Sequence, residues 1–186
     1  MDKKLIRRCL RGDRDAQTEF YNRFSPKMFA LCYRYANNYH TAEDILQEGF
    51  VKVFTYLDRY EARGSLEGWI RRIMVNAALE FLRKKAPTDR FHELDEVREI
   101  NVPDNMLDKM ETRVVMDLIQ QIPDGYREVL NLFIVEGYSH QEISEMMKIT
   151  ESNSKIRLMR ARAMLQHLIM DANHIMQEQK HEPEHV

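Results

Sequence analysis

Apolar residues recur along this chain at spacings of three and four, with no useful length of strand-like alternation, and that period predicts helices nearly throughout. The clearest runs from Leu66 to Lys85, where Leu66, Ile70, Ile73, Ala77 and Phe81 form one core-facing stripe. Earlier in the chain, Ser25-Pro26 has the chemistry of an N-cap followed by a first-turn proline and predicts a helix through Tyr35. Thr41-x-x-Asp44 predicts the start of another, with Ile45, Phe50, Val53, Phe54 and Leu57 available for its core. In the last third, Asp124 is expected to cap a helix to about Val135 that Gly137 ends.

The stretch after Gly137 carries the most specific pattern. Ser139 and Glu142 have the S-x-x-E spacing of a capping box, so a short helix starts there with Ile143, Met146 and Met147 on its apolar side. Lys148-Ile149-Thr150 is about the length that joins the helices of a helix-turn-helix, and a second helix begins near Glu151. At about 100° per residue, Ser154, Leu158, Ala161, Leu165 and Leu168 share one face. Ser152, Asn153, Lys155, Ile156, Met159 and Arg160 share the opposite one. Polar and basic side chains near the N-terminal end of a second helix are what reading base edges in a major groove requires, with Arg157 and Arg162 placed for phosphates. The residues alone leave open a plain helix hairpin with a solvated basic face.

Charge distribution sharpens this picture. The formal net charge of the 186 residues is −2, which would argue against a polyanionic partner if it were spread evenly. Residues 1–86 carry a net +6, whereas residues 87–112 carry −5. The acidic stretch also holds Pro87 and Pro103, so the expected organisation is a helical domain over 1–86, an acidic linker over 87–109, a second helical domain over 110–172 and a polar tail over 173–186. The fold class expected is all-α, with a helix-turn-helix in the C-terminal domain. No apolar run approaches the roughly 18 residues of a membrane span, and the charged start does not resemble a secretory signal, so a cytoplasmic protein without direct membrane insertion is expected. Cys9 and Cys32 lack metal or redox spacing and read as packed thiols.

The first domain has its own surface of interest. On the long helix Arg72, Asn76, Leu79 and Arg83 line up away from the core stripe, and the preceding turn carries Tyr60, Arg63 and Gly64. Rings, guanidinium groups and an amide around a glycine-containing loop are parts that stack on and hydrogen-bond unpaired bases. On residues alone, however, Trp69, Tyr56 and Tyr60 read first as core or rim aromatics, and basic helix edges as solvated ones.

Two segments now resemble a known family. AEDILQEGFVKVF at Ala42 to Phe54 resembles the A-E-D-x-x-Q-E-x-F segment of bacterial extracytoplasmic-function sigma factors, and GSLEGWIRRIMVNAALEFLRKK resembles their W-L-x-R-I-x-x-N-x-x-x-D-x-x-R helix. IPDGYREVLNLFIVEGYSHQEIS resembles the family's L-P-x-x-x-R-x-V-x-L pattern before its helix-turn-helix. The resemblance implies a protein that binds core RNA polymerase, takes it to promoters and helps open the duplex, with no cofactor, no metal and no catalysis of its own. It implies that Asp44, Gln47, Glu48 and Phe50 face the polymerase, with the phenylalanine packing. Tyr60, Arg63, Gly64, Arg72, Asn76 and Arg83 would hold the single-stranded minus-10 element, Asn76 beside the pocket for a flipped-out base. Asn153, Lys155, Ile156, Arg157, Met159 and Arg160 would meet the duplex minus-35 element. The family further implies an anti-sigma factor as partner.

The chain departs from the pattern in places. Ser152-Asn153-Ser154-Lys155-Ile156-Arg157 stands where many members have G-T-V-K-S-R, so the promoter sequence does not transfer. Glu80 replaces a frequent Asp and Arg71 a frequent aromatic. Two rival readings exist. One is a stand-alone helix-turn-helix regulator that needs no polymerase. The other rests on HEPEH at His181 to His185, which matches the H-E-x-x-H zinc-protease pattern, but Pro183 interrupts the helix that pattern needs.

Overall fold

The computed structural model describes residues 2–36, 38–85 and 112–179. Every regular element among them is helical, and the chain forms two compact units, Met1–Thr88 and Asp89–Val186. The fold is therefore all-α in two helical domains. The acidic segment 87–109 and the HEPEH motif lie outside the described residues.

The first unit contains α1 (Asp2–Leu10), α2 (Arg14–Tyr35), α3 (Tyr39–Thr55), a 3₁₀ turn (Leu57–Arg59) and α4 (Leu66–Lys85). Asp13 caps α2 by accepting from the Ala16 amide at 3.0 Å, and Arg8 donates to its other carboxylate oxygen at 2.8 Å. The helix does not begin at Ser25-Pro26, as expected, but runs straight through Pro26. Phe20, Phe24, Met28 and Leu31 are buried on both sides of the proline, and Asn22, whose carbonyl it leaves without an amide, is exposed to solvent. Packing thus outweighs local propensity. α3 likewise starts before Thr41: Asn38 accepts from the Thr41 amide at 2.8 Å and is the cap.

α3 and α4 cross closely at Gly49, where a Cβ would lie 2.2 Å from Met74 Sδ. Leu66, Ile70, Ala77 and Phe81 are buried as expected, while Ile73 is only half-buried. Because α4 packs on both α2 and α3, its buried arc is wider than one stripe and takes in Met74, Val75, Ala78, Leu79 and Leu82. Leu79 therefore belongs to the core and not to the exposed line.

The second unit contains α5 (Thr112–Gln120), α6 (Asp124–Leu130) continuing as a π turn (Asn131–Val135), α7 (His140–Met147) and α8 (Glu151–Gln179). Asp124 is not the cap of α6. It sits in the first turn and accepts from Arg127 at 2.5 Å. Arg127 is 1 % exposed and also donates to the carbonyls of Gln120 (2.8 Å) and Ile122 (3.1 Å), so it joins the end of α5 to the start of α6. Gly137 ends the π turn with a φ of +76°, which glycine adopts without strain. α8 continues through the first residues of the expected tail; residues 180–186 lie outside the described set.

Candidate nucleic-acid interface

In the second unit the helix-turn-helix is fixed by local chemistry. The Ser139 Oγ accepts from the Glu142 amide at 3.2 Å and the Glu142 carboxylate accepts from the Ser139 amide at 2.8 Å, the reciprocal capping box. Lys148 ends α7 in the left-handed region at φ 56°, and Thr150 Oγ1 accepts from the Asn153 amide at 3.1 Å to start α8. Ser154, Leu158 and Ala161 are buried, with Leu165 and Leu168 half-buried behind them. Ser154 meets a polar partner inside: its Oγ lies 2.9 Å from His140 Nδ1, and the His140 ring stacks on Phe133 at 4.6 Å. Burial holds the His140 imidazole below its ordinary range; Lys155 and Arg162 push the same way and Glu151 opposes them.

The opposite face of α8 is open. Ser152, Asn153, Lys155, Ile156 and Met159 are exposed, and Arg160 is half-buried because it donates to Tyr126 Oη at 3.2 Å. That tether, which sequence reasoning missed, fixes one guanidinium of the face in direction. Lys155 is ion-paired with Glu151 at 2.8 Å, and the lysine holds that carboxyl below its usual range. Arg162 lies over the Phe133 ring at 5.9 Å. Arg157 departs from expectation. It is 5 % exposed, and burial lowers its pKa, so its side chain belongs to the interior and not to the presented face.

In the first unit, the loop before α4 and the first turns of that helix enclose an open cleft of about 400 Å³. Its lining includes Arg59, Tyr60, Arg63, Gly64, Trp69 and Arg72. Tyr60 donates to the Gly64 carbonyl at 2.7 Å and its ring lies 5.5 Å from Trp69, which closes the loop on itself. Ser65 Oγ accepts from the Gly68 amide at 3.0 Å and starts α4. Ala62 takes a left-handed φ of 56° at the loop tip. Four of the six expected minus-10 residues, Tyr60, Arg63, Gly64 and Arg72, thus share one cleft. Asn76 is exposed one turn beyond it on the same helix face. Arg83 is also exposed but stands about 16 Å along the axis from Arg72. Trp69 and Arg59 were not expected in the site; their spacing around Tyr60 was visible, but nothing in sequence separated a cleft wall from a core aromatic.

On α3, Gln47 is exposed, and Asp44 and Glu48 are half-buried. Phe50 is 3 % exposed and packs against Tyr21 at 4.6 Å, so it supports this face from beneath and does not present itself. Glu48 lies 3.8 Å from Lys84 of α4, and Glu80 is paired with both Lys84 (3.7 Å) and Lys52. The hydrogen bond from Lys52 holds the Glu80 carboxyl below its usual range. Among the described residues no group of three or more His, Cys, Asp or Glu is placed to hold a metal, and no helix is long and apolar enough to cross a membrane.

Residues 20–88, which include α3, the cleft and α4, match the Sigma-70 region 2 family, and residues 112–165, which include the helix-turn-helix, match Sigma-70, region 4. The ECF RNA polymerase sigma factor SigW of Bacillus subtilis is 29% identical over 183 residues, covering 92% of this chain and 98% of that protein. The chain belongs to the extracytoplasmic-function sigma factors. The ECF RNA polymerase sigma-E factor of Haemophilus influenzae is 27% identical over 90% of this sigma factor and 95% of its own length. The sigma factor RpoE, solved in complex with the anti-sigma factor NepR from Bartonella quintana, shares the fold with a TM-score of 0.53 at 19% identity, over 82% of this chain and 96% of its own. Because both units match and the relatives cover nearly the whole chain, a stand-alone helix-turn-helix regulator is not favoured. The protein is an alternative sigma factor that initiates transcription with RNA polymerase at promoter DNA.

Proposed function

We propose that the two units divide promoter recognition by the form of DNA each can hold. The observation that carries this reading is the contrast between the two exposed faces. The second unit offers a regular helix face of Asn153, Lys155, Ile156, Met159 and Arg160, which fits a major groove. The first offers a loop cleft with Tyr60, Trp69, Arg63 and Arg72, which a groove does not fit and an extruded base does. Asn76, next along α4, would hydrogen-bond the base, and Arg83 would meet the backbone farther along the strand. Asp44, Gln47 and Glu48 are the groups that would contact the polymerase, on a face supported by Phe50.

In this reading the protein acts stoichiometrically in the cytoplasm, lowers no chemical barrier and needs no cofactor. An anti-sigma factor, the kind of partner with which the Bartonella quintana RpoE was solved, would hold it inactive. Run-off transcription with core polymerase on genomic templates tests the whole. Promoter-specific transcripts are expected with both proteins present. Their absence, together with binding of palindromic duplex by the isolated protein, would establish the regulator reading instead. Two variants test the division of labour. Arg160→Ala should weaken minus-35 recognition and leave core binding intact. Asn76→Ala should reduce permanganate reactivity of the melted bases on duplex templates.

A further inference from the structure

The exposed face of α8 contains two large apolar side chains. Ile156 is 46% exposed and Met159 is 47% exposed. They are three residues apart on one helix, so their axial separation is about 4.5 Å, close to the roughly 3.4 Å between successive bases on a strand. Neither is needed by the core, which takes Ser154, Leu158 and Ala161 from the other side of the helix. Around them stand Asn153, one turn before Ile156, and the cations Lys155 and Arg160. An apolar pair set among cations and an amide calls for a partner that offers anions beside small apolar groups. It is well matched to DNA, where phosphates meet the cations and the major groove offers one apolar group, the thymine 5-methyl.

We propose that Ile156 and Met159 are specificity-determining residues that bury thymine methyl groups in the minus-35 duplex. The promoter therefore presents thymine on one or both strands at the steps they cover. Asn153 extends the same preference, because its amide can pair bidentately with the N6 and N7 of an adenine. Arg160, directed by Tyr126, is left for a guanine or a phosphate beyond the apolar pair. The inference rests on the reading of α8 as the minus-35 helix.

The test uses the holoenzyme, reconstituted from the full chain and core polymerase. A duplex is selected from a pool randomised across the minus-35 window, and each thymine in that window is then replaced singly by deoxyuridine, which lacks only the methyl. Loss of one buried methyl should weaken binding about threefold to fivefold at one or two positions. The Ile156→Ala/Met159→Ala holoenzyme should bind thymine and deoxyuridine duplexes equally. Selection of a defined minus-35 sequence with no deoxyuridine effect overturns the proposal and leaves the promoter-binding reading intact. A double variant that still discriminates also overturns the proposal, and one whose defect is loss of core-polymerase binding overturns both the proposal and the reading of α8 as the minus-35 helix. Failure of the holoenzyme to select any sequence would remove both.

Discussion

Replacing Arg127 with methionine should cost the second unit a large share of its stability. The guanidinium is 1 % exposed and donates to two backbone carbonyls, Gln120 at 2.8 Å and Ile122 at 3.1 Å, and to the Asp124 carboxylate at 2.5 Å. Methionine fills much of the same volume, so the loss is chiefly of hydrogen bonds and not of packing. It removes the Arg127 hydrogen bonds from an acidic group of low exposure and from two carbonyls where water has little access. Removing one partner of a buried ion pair costs about 3–5 kcal/mol, against a total of about 5–15 kcal/mol for a typical domain. The second unit of the variant is therefore expected to unfold at a markedly lower temperature and denaturant concentration than that of the parent. Loss of helical circular dichroism and rapid amide exchange across α5 to α8 would show it. Trp69, the single tryptophan, lies in the first unit and gives that unit a separate fluorescence signal. Asp124→Asn should cost less, because both carbonyls keep their donor. A destabilisation below about 1 kcal/mol for Arg127→Met, less than a typical single neutral hydrogen bond is worth at the upper end, would refute the claim that this side chain joins α5 to α6.

Gly49→Ala should destabilise the first unit: a Cβ there meets Met74 Sδ at 2.2 Å, and because Met74 is itself fully buried its thioether has little room to swing aside, so overpacking of about 1–3 kcal/mol outweighs a gain of about 1 kcal/mol in helix propensity. In a Met74→Ala background the same change should become neutral or stabilising in Trp69-monitored unfolding, and an unchanged cost would show the clash is not its cause. His140 has its pKa lowered from 6.5 by burial, so the unfolded chain takes the proton first. Stability of the second unit should be unaffected above pH 6.5 and fall as the pH drops from there to the folded pKa; His140→Gln should flatten that slope in thermal melts, and an equal slope would exclude this residue. Burial pushes the Cys32 thiol up to about 12 and raises Cys9 as well, so neither should react with iodoacetamide at pH 8 until the first unit unfolds. Labelling of the native protein at the rate of a free thiol would contradict their packing.

What the sequence made legible depended on how local the determining chemistry is. The capping box at Ser139 and Glu142, the turn at Lys148 to Thr150 and the start of α8 are all settled within a few residues, and the structure has them where the spacing indicated. Pro26 shows the opposite case. Its local signal favours a helix start, but the buried Phe20 and Phe24 before it and Met28 and Leu31 after it commit the whole of α2 to one core, a fact that appears only when α3 and α4 are in place. Leu79 and Arg157 fail for a related reason. A single-face projection assigns each residue by angle alone, whereas α4 packs on two helices and the inward side of α8 is wide enough to cover a long arginine. The Arg160 to Tyr126 bond and the His140 to Ser154 contact join residues 34 and 14 apart and had no sequence signature at all.

These non-local contacts bear directly on how the protein can be specific. A helix that reads base edges must present its side chains within a fraction of an ångström of a fixed register, and an isolated α8 would not. Ser154 is a polar residue fully inside the unit, which is costly unless it finds a partner, and His140 from α7 is that partner at 2.9 Å. Rotation of α8 relative to α7 would break that bond and leave the buried Ser154 hydroxyl without it, so the pair opposes the motion that would blur the reading face. Tyr126 acts from α6 in the same sense on Arg160. The residues that differ from the family pattern, Ser152, Asn153, Ser154 and Ile156, therefore divide into two kinds. Ser152, Asn153 and Ile156 face outward and can change what is read. Ser154 faces inward and, with His140, holds the reading helix in place.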